Sequence, residues 1–262
     1  MSFTILASLG VLGALALLFG AGLGYAGIKF KVLEDERVGA VRELLPSANC
    51  GGCGFAGCDG MASAIVNDGL SPLKCPALKA ENVQLIAGIM GSSAEAPERR
   101  VAFVKCRGTT EVCKYNYKYE GLADCAAAGA LAAGGAKSCA YGCLGLGSCA
   151  AACKFGAITM KDGLSVVHRE KCTACGMCAA ACPRGIIEIL PYSAEARVFC
   201  SSRDNGKTSR ANCSLSCVGC KLCEKACEYG AVRVENFLAS TDYAKCVNCG
   251  KCAEACKSKV IG

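Results

Sequence analysis

Residues 4–28 (TILASLGVLGALALLFGAGLGYAGI) carry no charged side chain. At about 1.5 Å per residue they make one helix long enough for a hydrocarbon core of about 30 Å. Polarity then changes character: residues 32–46, 59–67 and 79–90 have the spacing of short amphipathic helices. Beyond residue 100 the apolar positions come in brief runs, at 101–104, 156–160, 185–189, 230–234 and 259–261, each predicting a small strand. Small and polar residues with Pro97 mark 91–100 as a linker, either a hinge or a plain spacer, and 126–136 is an Ala/Gly stretch.

No basic residue precedes the first apolar run, and the run is longer than the core of a cleaved leader, so it reads as a membrane anchor. Lys29, Lys31, Arg37 and Arg42 follow it. The positive-inside tendency therefore expects a single-pass protein of the cell membrane with the bulk of the chain on the cytoplasmic side. Gly20 and Gly24 form a G-x-x-x-G step of the kind that lets another helix approach, although glycine is also simply common in membrane helices.

The chemistry lies in the cysteines. Cys172, Cys175, Cys178 and Cys182-Pro183 form a C-x2-C-x2-C-x3-C-P run, in which three thiolates wrap one iron–sulfur cube and the fourth points to a second. A shift of 29 residues relates Cys149 and Cys153 to Cys178 and Cys182, and a shift of 74 lays the block from Cys139 to Cys182 on that from Cys213 to Cys256. Two bacterial-type ferredoxin-like units, each a 2[4Fe-4S] module, thus stand in tandem. In the second, Cys217, Cys220, Cys223 and Cys256 form one expected ligand set, and Cys246, Cys249, Cys252 and Cys227 the other. In the first, Cys172, Cys175, Cys178 and Cys153 form one set, but Leu146 stands where the repeat has Cys220. Cys139 is the nearest substitute, which gives Cys139, Cys143, Cys149 and Cys182.

An unrelated spacing, Cys50-x2-Cys53-x4-Cys58-x16-Cys75-Pro76, adds an N-terminal site whose glycines permit a tight loop. Five [4Fe-4S] clusters follow, and Cys106, Cys113, Cys125, Cys200 and Cys213 remain. A sixth cluster on Cys106, Cys125, Cys200 and Cys213, leaving Cys113 free, is arithmetically available. Buried free thiols or a different subset are open alternatives.

Composition sharpens this reading. Twenty-five cysteines and 32 glycines with no Trp argue against ordinary apolar cores and for folding coupled to metal. An odd cysteine count in C-x2-C steps speaks against a disulfide framework, and three thiols within seven residues speak against zinc. The formal charge of +7 counts every cysteine as neutral. Six ligated clusters would add roughly −12, so the basic balance is an artefact of the metal-free count. Lys and Arg are scattered, with no patch for nucleic acid. His168, the lone histidine, reads as a surface residue, and neither a phosphate-binding loop nor a nucleophile with its base is evident.

A glycine-rich membrane helix, then LLPSANCGGCGFAGC with a distant Cys-Pro, then ferredoxin repeats, closely resembles the B subunits of Rnf complexes, the ion-translocating ferredoxin:NAD oxidoreductases. The likeness runs over nearly the whole chain. It implies an electron-transfer subunit of a translocase with no catalytic pocket of its own. The implied donor is reduced soluble ferredoxin, and the implied partners are the membrane-embedded A, D, E and G subunits and the NAD-reducing C subunit. The expected organisation is an anchor (1–30), an N-terminal 4Fe-4S domain (31–90), a linker (91–100), a cysteine-containing connection (101–138) and two ferredoxin-like units (139–195 and 196–262), all small α+β iron–sulfur domains after one transmembrane helix. The rival readings are a polyferredoxin subunit of another membrane oxidoreductase, such as a hydrogenase, and a zinc-binding structural protein without redox function.

Overall fold

A computed structural model describes residues 2–30, 35–93, 95, 98–131 and 133–262, with side chains from residue 8 onward. Helix α1, Ser2–Lys29, stands clear of the rest of the chain. Its described apolar side chains meet no core: Leu17 is 77% and Ile28 81% exposed. Over Ser8–Lys29 the mean hydropathy is 1.9, so the helix is long and apolar enough to cross a bilayer. Lys29 closes it, its ammonium 5.6 Å from the centroid of the Tyr25 ring, the amphipathic pairing that suits a membrane–water boundary.

Three helices form the N-terminal domain: α2 (Glu36–Leu44), α3 (Cys58–Asn67) and α4 (Ala80–Ile89). Asp35 caps α2 by accepting from the Arg37 N–H at 2.9 Å; the residues before it, 31–34, lie outside the described residues, as does that part of the predicted helix. The apolar faces close on a core of Val41, Met61, Ile65 and Ile86. Asn82 ties α4 to the end of α2 by donating to the Leu44 carbonyl at 2.7 Å. A 3-10 turn, Pro72–Lys74, capped by Ser71, delivers Cys75 to this core.

Of the predicted linker, 94, 96 and 97 lie outside the described residues, and its last residue, Arg100, opens strand β1 (Arg100–Val104). The expected organisation puts the run at 101–104 in a connecting region. Instead β1 pairs antiparallel with β4 (Ile187–Pro191), from Arg100↔Pro191 to Val104↔Ile187, and closes the first ferredoxin-like unit. Between them lie α5 (Cys125–Gly129), α6 (Ser148–Ala151), the hairpin of β2 (Ile158–Lys161) and β3 (Leu164–Val167), and α7 (Met177–Ala180). Asp162 and Gly163 turn the hairpin with φ of 49° and 69°, the pair of positive values a two-residue turn of this hand needs.

The second unit repeats the plan with α8 (Gly206–Asn212), α9 (Leu222–Lys225), the hairpin of β5 (Val232–Glu235) and β6 (Leu238–Thr241), and α10 (Lys251–Glu254). Its two ends meet in a single antiparallel bridge, Val198↔Ile261. The return strands β3 and β6 are not separate apolar runs in the sequence. Each is exposed along part of its length, so the apolar signal is diluted.

Candidate metal centres

All 25 cysteines carry free thiols. In the N-terminal domain the loop before α3 is held by Asn49, whose side-chain oxygen accepts from the Cys58 N–H at 2.8 Å. Burial pushes the Cys75 thiol up, and the neighbouring thiols of Cys53, Cys50 and Cys58 raise it further, so the four predicted ligands do share one environment.

In the ferredoxin-like units the short helices α6, α7, α9 and α10 each carry a cysteine inward: Cys149, Cys178, Cys223 and Cys252 are all buried. One cavity is lined by Cys153, Cys172, Cys175 and Cys178. Another is lined by Cys217, Cys220, Cys223 and Cys256. Cys252 is influenced by Cys246 and Cys227, and all three belong to the apolar core of the second unit, whereas Cys249 is exposed.

The remaining cavity of the first unit differs from expectation. It is lined by Cys125, Cys143, Cys149 and Cys182, and Cys139 is not among its walls. Cys125 opens α5; its N–H donates to the Ser148 hydroxyl at 2.7 Å, and that hydroxyl donates to Asp124 at 2.9 Å. These two bonds pin Cys125 beside Cys149, at the start of α6. The sequence expectation groups Cys125 with the sixth site and Cys139 with this one; in the structure Cys125 lines this cavity and Cys139 lines another. The local signal in the sequence is Asp124, a helix-capping residue that marks the start of α5 at Cys125, its carboxylate accepting from the Ala127 N–H at 2.8 Å.

Cys139 instead lines a cavity with Cys106, Cys113, Cys200 and Cys213, between the two units. Cys113 and Cys213 are bridge partners on adjacent backbone segments. The contact between the two side chains lowers the Cys113 thiol and raises that of Cys213.

These sites suit iron–sulfur clusters on three grounds. Among the described residues, no three His, Cys, Asp or Glu side chains converge closely enough for one metal ion. A single zinc would draw its sulfurs to about 4 Å from one another, whereas a four-iron cube needs its thiolates spread around a cavity. Backbone N–H groups point at the sulfurs: those of Ala102 and Ala174 donate to Cys172 at 3.3 and 3.4 Å, and that of Ala157 to Cys153 at 3.3 Å. Finally, burial followed by repulsion from Cys172 and Cys175 pushes the Cys178 thiol to about 12. Four thiolates coexist there only with positive charge among them, which is what metal supplies.

The comparisons with known proteins agree. Families described as "Putative Fe-S cluster", "4Fe-4S binding domain" and "4Fe-4S dicluster domain" match residues 45–77, 165–188 and 216–261. The B subunit of the ion-translocating oxidoreductase complex of Methanosarcina acetivorans is 42% identical over 262 residues, 100% of this chain and 99% of that protein. The B subunit of the Na(+)-translocating ferredoxin:NAD(+) oxidoreductase complex of Acetobacterium woodii is 44% identical over 98% of this chain and 77% of its own length. The proton-translocating counterpart of Clostridium ljungdahlii is 39% identical over 98% and 92%.

Proposed function

The chain belongs to the family of B subunits of ion-translocating oxidoreductase complexes, and on that premise we propose that it takes electrons from reduced soluble ferredoxin and relays them towards the membrane-embedded A, D, E and G subunits and the NAD-reducing C subunit. When bound, [4Fe-4S] clusters supply one-electron carriers that need no bond-making on the protein. The chain's own residues hold, bury and space them. The ligand sets are Cys50, Cys53, Cys58 and Cys75; Cys153, Cys172, Cys175 and Cys178; Cys125, Cys143, Cys149 and Cys182; Cys217, Cys220, Cys223 and Cys256; and Cys227, Cys246, Cys249 and Cys252.

The observation that supports the reading is the series of thiol-lined sites, with the N-terminal site packed against the first unit where Gly52 meets Cys175. At one extreme lie Cys220 and Cys249, the two cysteines exposed to solvent, which suits uptake from a soluble donor at the second unit. At the other lies the N-terminal site, whose Gly52 touches Cys175 of the first unit. That domain begins at Glu36, seven residues after the end of α1, so the chain holds it within about 25 Å of the bilayer surface. Lys29 at the end of α1 favours placing the clusters on the cytoplasmic side.

The test is Cys53→Ser in the intact complex. The distal sites should stay reducible by ferredoxin while ferredoxin-dependent NAD reduction is lost; retained turnover would contradict the route.

A further inference from the structure

We propose that the cavity between the two ferredoxin-like units is a sixth [4Fe-4S] site, ligated by Cys106, Cys139, Cys200 and Cys213, with Lys137 as its buried counter-charge. The proposal rests on the relay reading and deepens it.

The two units contribute symmetrically. Cys139 and Cys213 are partners under the 74-residue shift, each four residues before a cysteine of its unit's own set, Cys143 and Cys217. Cys106 follows β1 by two residues and Cys200 follows Val198 by two, and these are the residues through which each unit's opening strand pairs with its end. The hydrogen bonds repeat as well. The Cys143 N–H donates to the Cys106 sulfur at 3.5 Å, and the Cys217 N–H donates to the Cys200 sulfur at 3.3 Å. A pair of thiols from each unit thus faces the other pair across the junction, and all four line one cavity.

Two further groups point to an anion there. Lys137 is 5% exposed, lines the cavity and donates to the Gly108 and Gly163 carbonyls at 2.6 and 2.7 Å. Among the described residues no salt bridge joins it to a carboxylate. A buried ammonium without an acidic partner is costly, and a four-thiolate cluster, which carries about two negative charges, answers it. Ser216, 1% exposed on the same wall, has a hydroxyl with no hydrogen-bond partner, a donor free for a cluster sulfur. Cys113 is left as a bystander: its backbone pairs directly with that of Cys213 in an isolated antiparallel bridge, and of the two only Cys213 has a cysteine partner in the repeat. The site joins the halves of the relay, since the Cys106 and Cys200 sulfurs each accept from the backbone of a neighbouring set.

The test is iron quantitation with EPR on the anaerobically purified, dithionite-reduced full chain. The wild type should hold about 24 iron atoms. Cys139→Ser and Cys200→Ser should each lose about four, with one paramagnetic centre gone and the others unchanged, whereas Cys113→Ser should lose none. Lys137→Met should keep the iron and lower the potential of that one centre, and Lys137→Arg should restore it. About 20 iron atoms in the wild type, unchanged in Cys139→Ser and Cys200→Ser, would overturn the sixth site while leaving the relay intact. A wild type without iron would overturn the relay itself.

Discussion

Gly52, in the loop between two cysteines of the N-terminal site, lies so close to Cys175 that a Cβ on it would stand 2.7 Å from the Cys175 carbonyl oxygen and 3.3 Å from its side chain. Phe155 of the first unit packs on the core of the N-terminal domain nearby. A glycine is needed here for close approach, and the approach joins two thiol sites from different domains.

Gly52→Ala should therefore leave the metal content alone and disturb only the junction. Overpacking of this kind costs about 1–3 kcal/mol, relieved most simply by the two domains drawing apart. Stopped-flow reduction should show the sites of the ferredoxin-like units filling at their usual rate and the N-terminal site filling more slowly.

The regrouping of Cys125 and Cys139 makes a second prediction. Ser148→Ala removes the hydroxyl that anchors the Cys125 N–H, at a cost of about 1 kcal/mol. Iron should leave the first unit roughly fivefold faster under a chelator, with the second unit unaffected. Equal loss from both units would mean that Ser148 does not act through Cys125.

Much of this is legible in the spacing of cysteines, because C-x2-C-x2-C fixes three ligands by local chain geometry alone. The anchor, the three helices of the N-terminal domain and the strands after Cys153, Cys182 and Cys227 are equally local signals, whereas the run predicted at 259–261 forms only the single bridge at Ile261. The choice between Cys125 and Cys139 is not local. It depends on how residues 106–138 fold back, through the Asp124–Ser148 bond and the pairing of β1 with β4 across 83 or more residues. The 74-residue repeat already pairs Cys139 with Cys213; that equivalence, carried through, places them at one junction.

The same repeat supplies a stability test. The residue before each one-turn helix is left-handed: Gly147 (φ 85°), Gly176 (81°), Gly250 (79°) and, in the fourth copy, Lys221 (59°). A side chain in that region costs about 1–2 kcal/mol. Gly250→Ala should lower the temperature at which cluster absorbance is lost, whereas Lys221→Gly should not lower it.

Among the described side chains, helix α1 contributes none to any core. Leu17→Arg and Leu18→Arg, made together, should each add about 2.5–3.5 kcal/mol to insertion. The protein should move to the soluble fraction with its iron content unchanged. Loss of iron would mean that the helix also supports the metal domains.

The most direct measurement is an EPR-monitored anaerobic redox titration of the full-length chain. The account predicts several [4Fe-4S] centres, each taking up one electron reversibly. A colourless protein, or bound iron that accepts no electron, would contradict it.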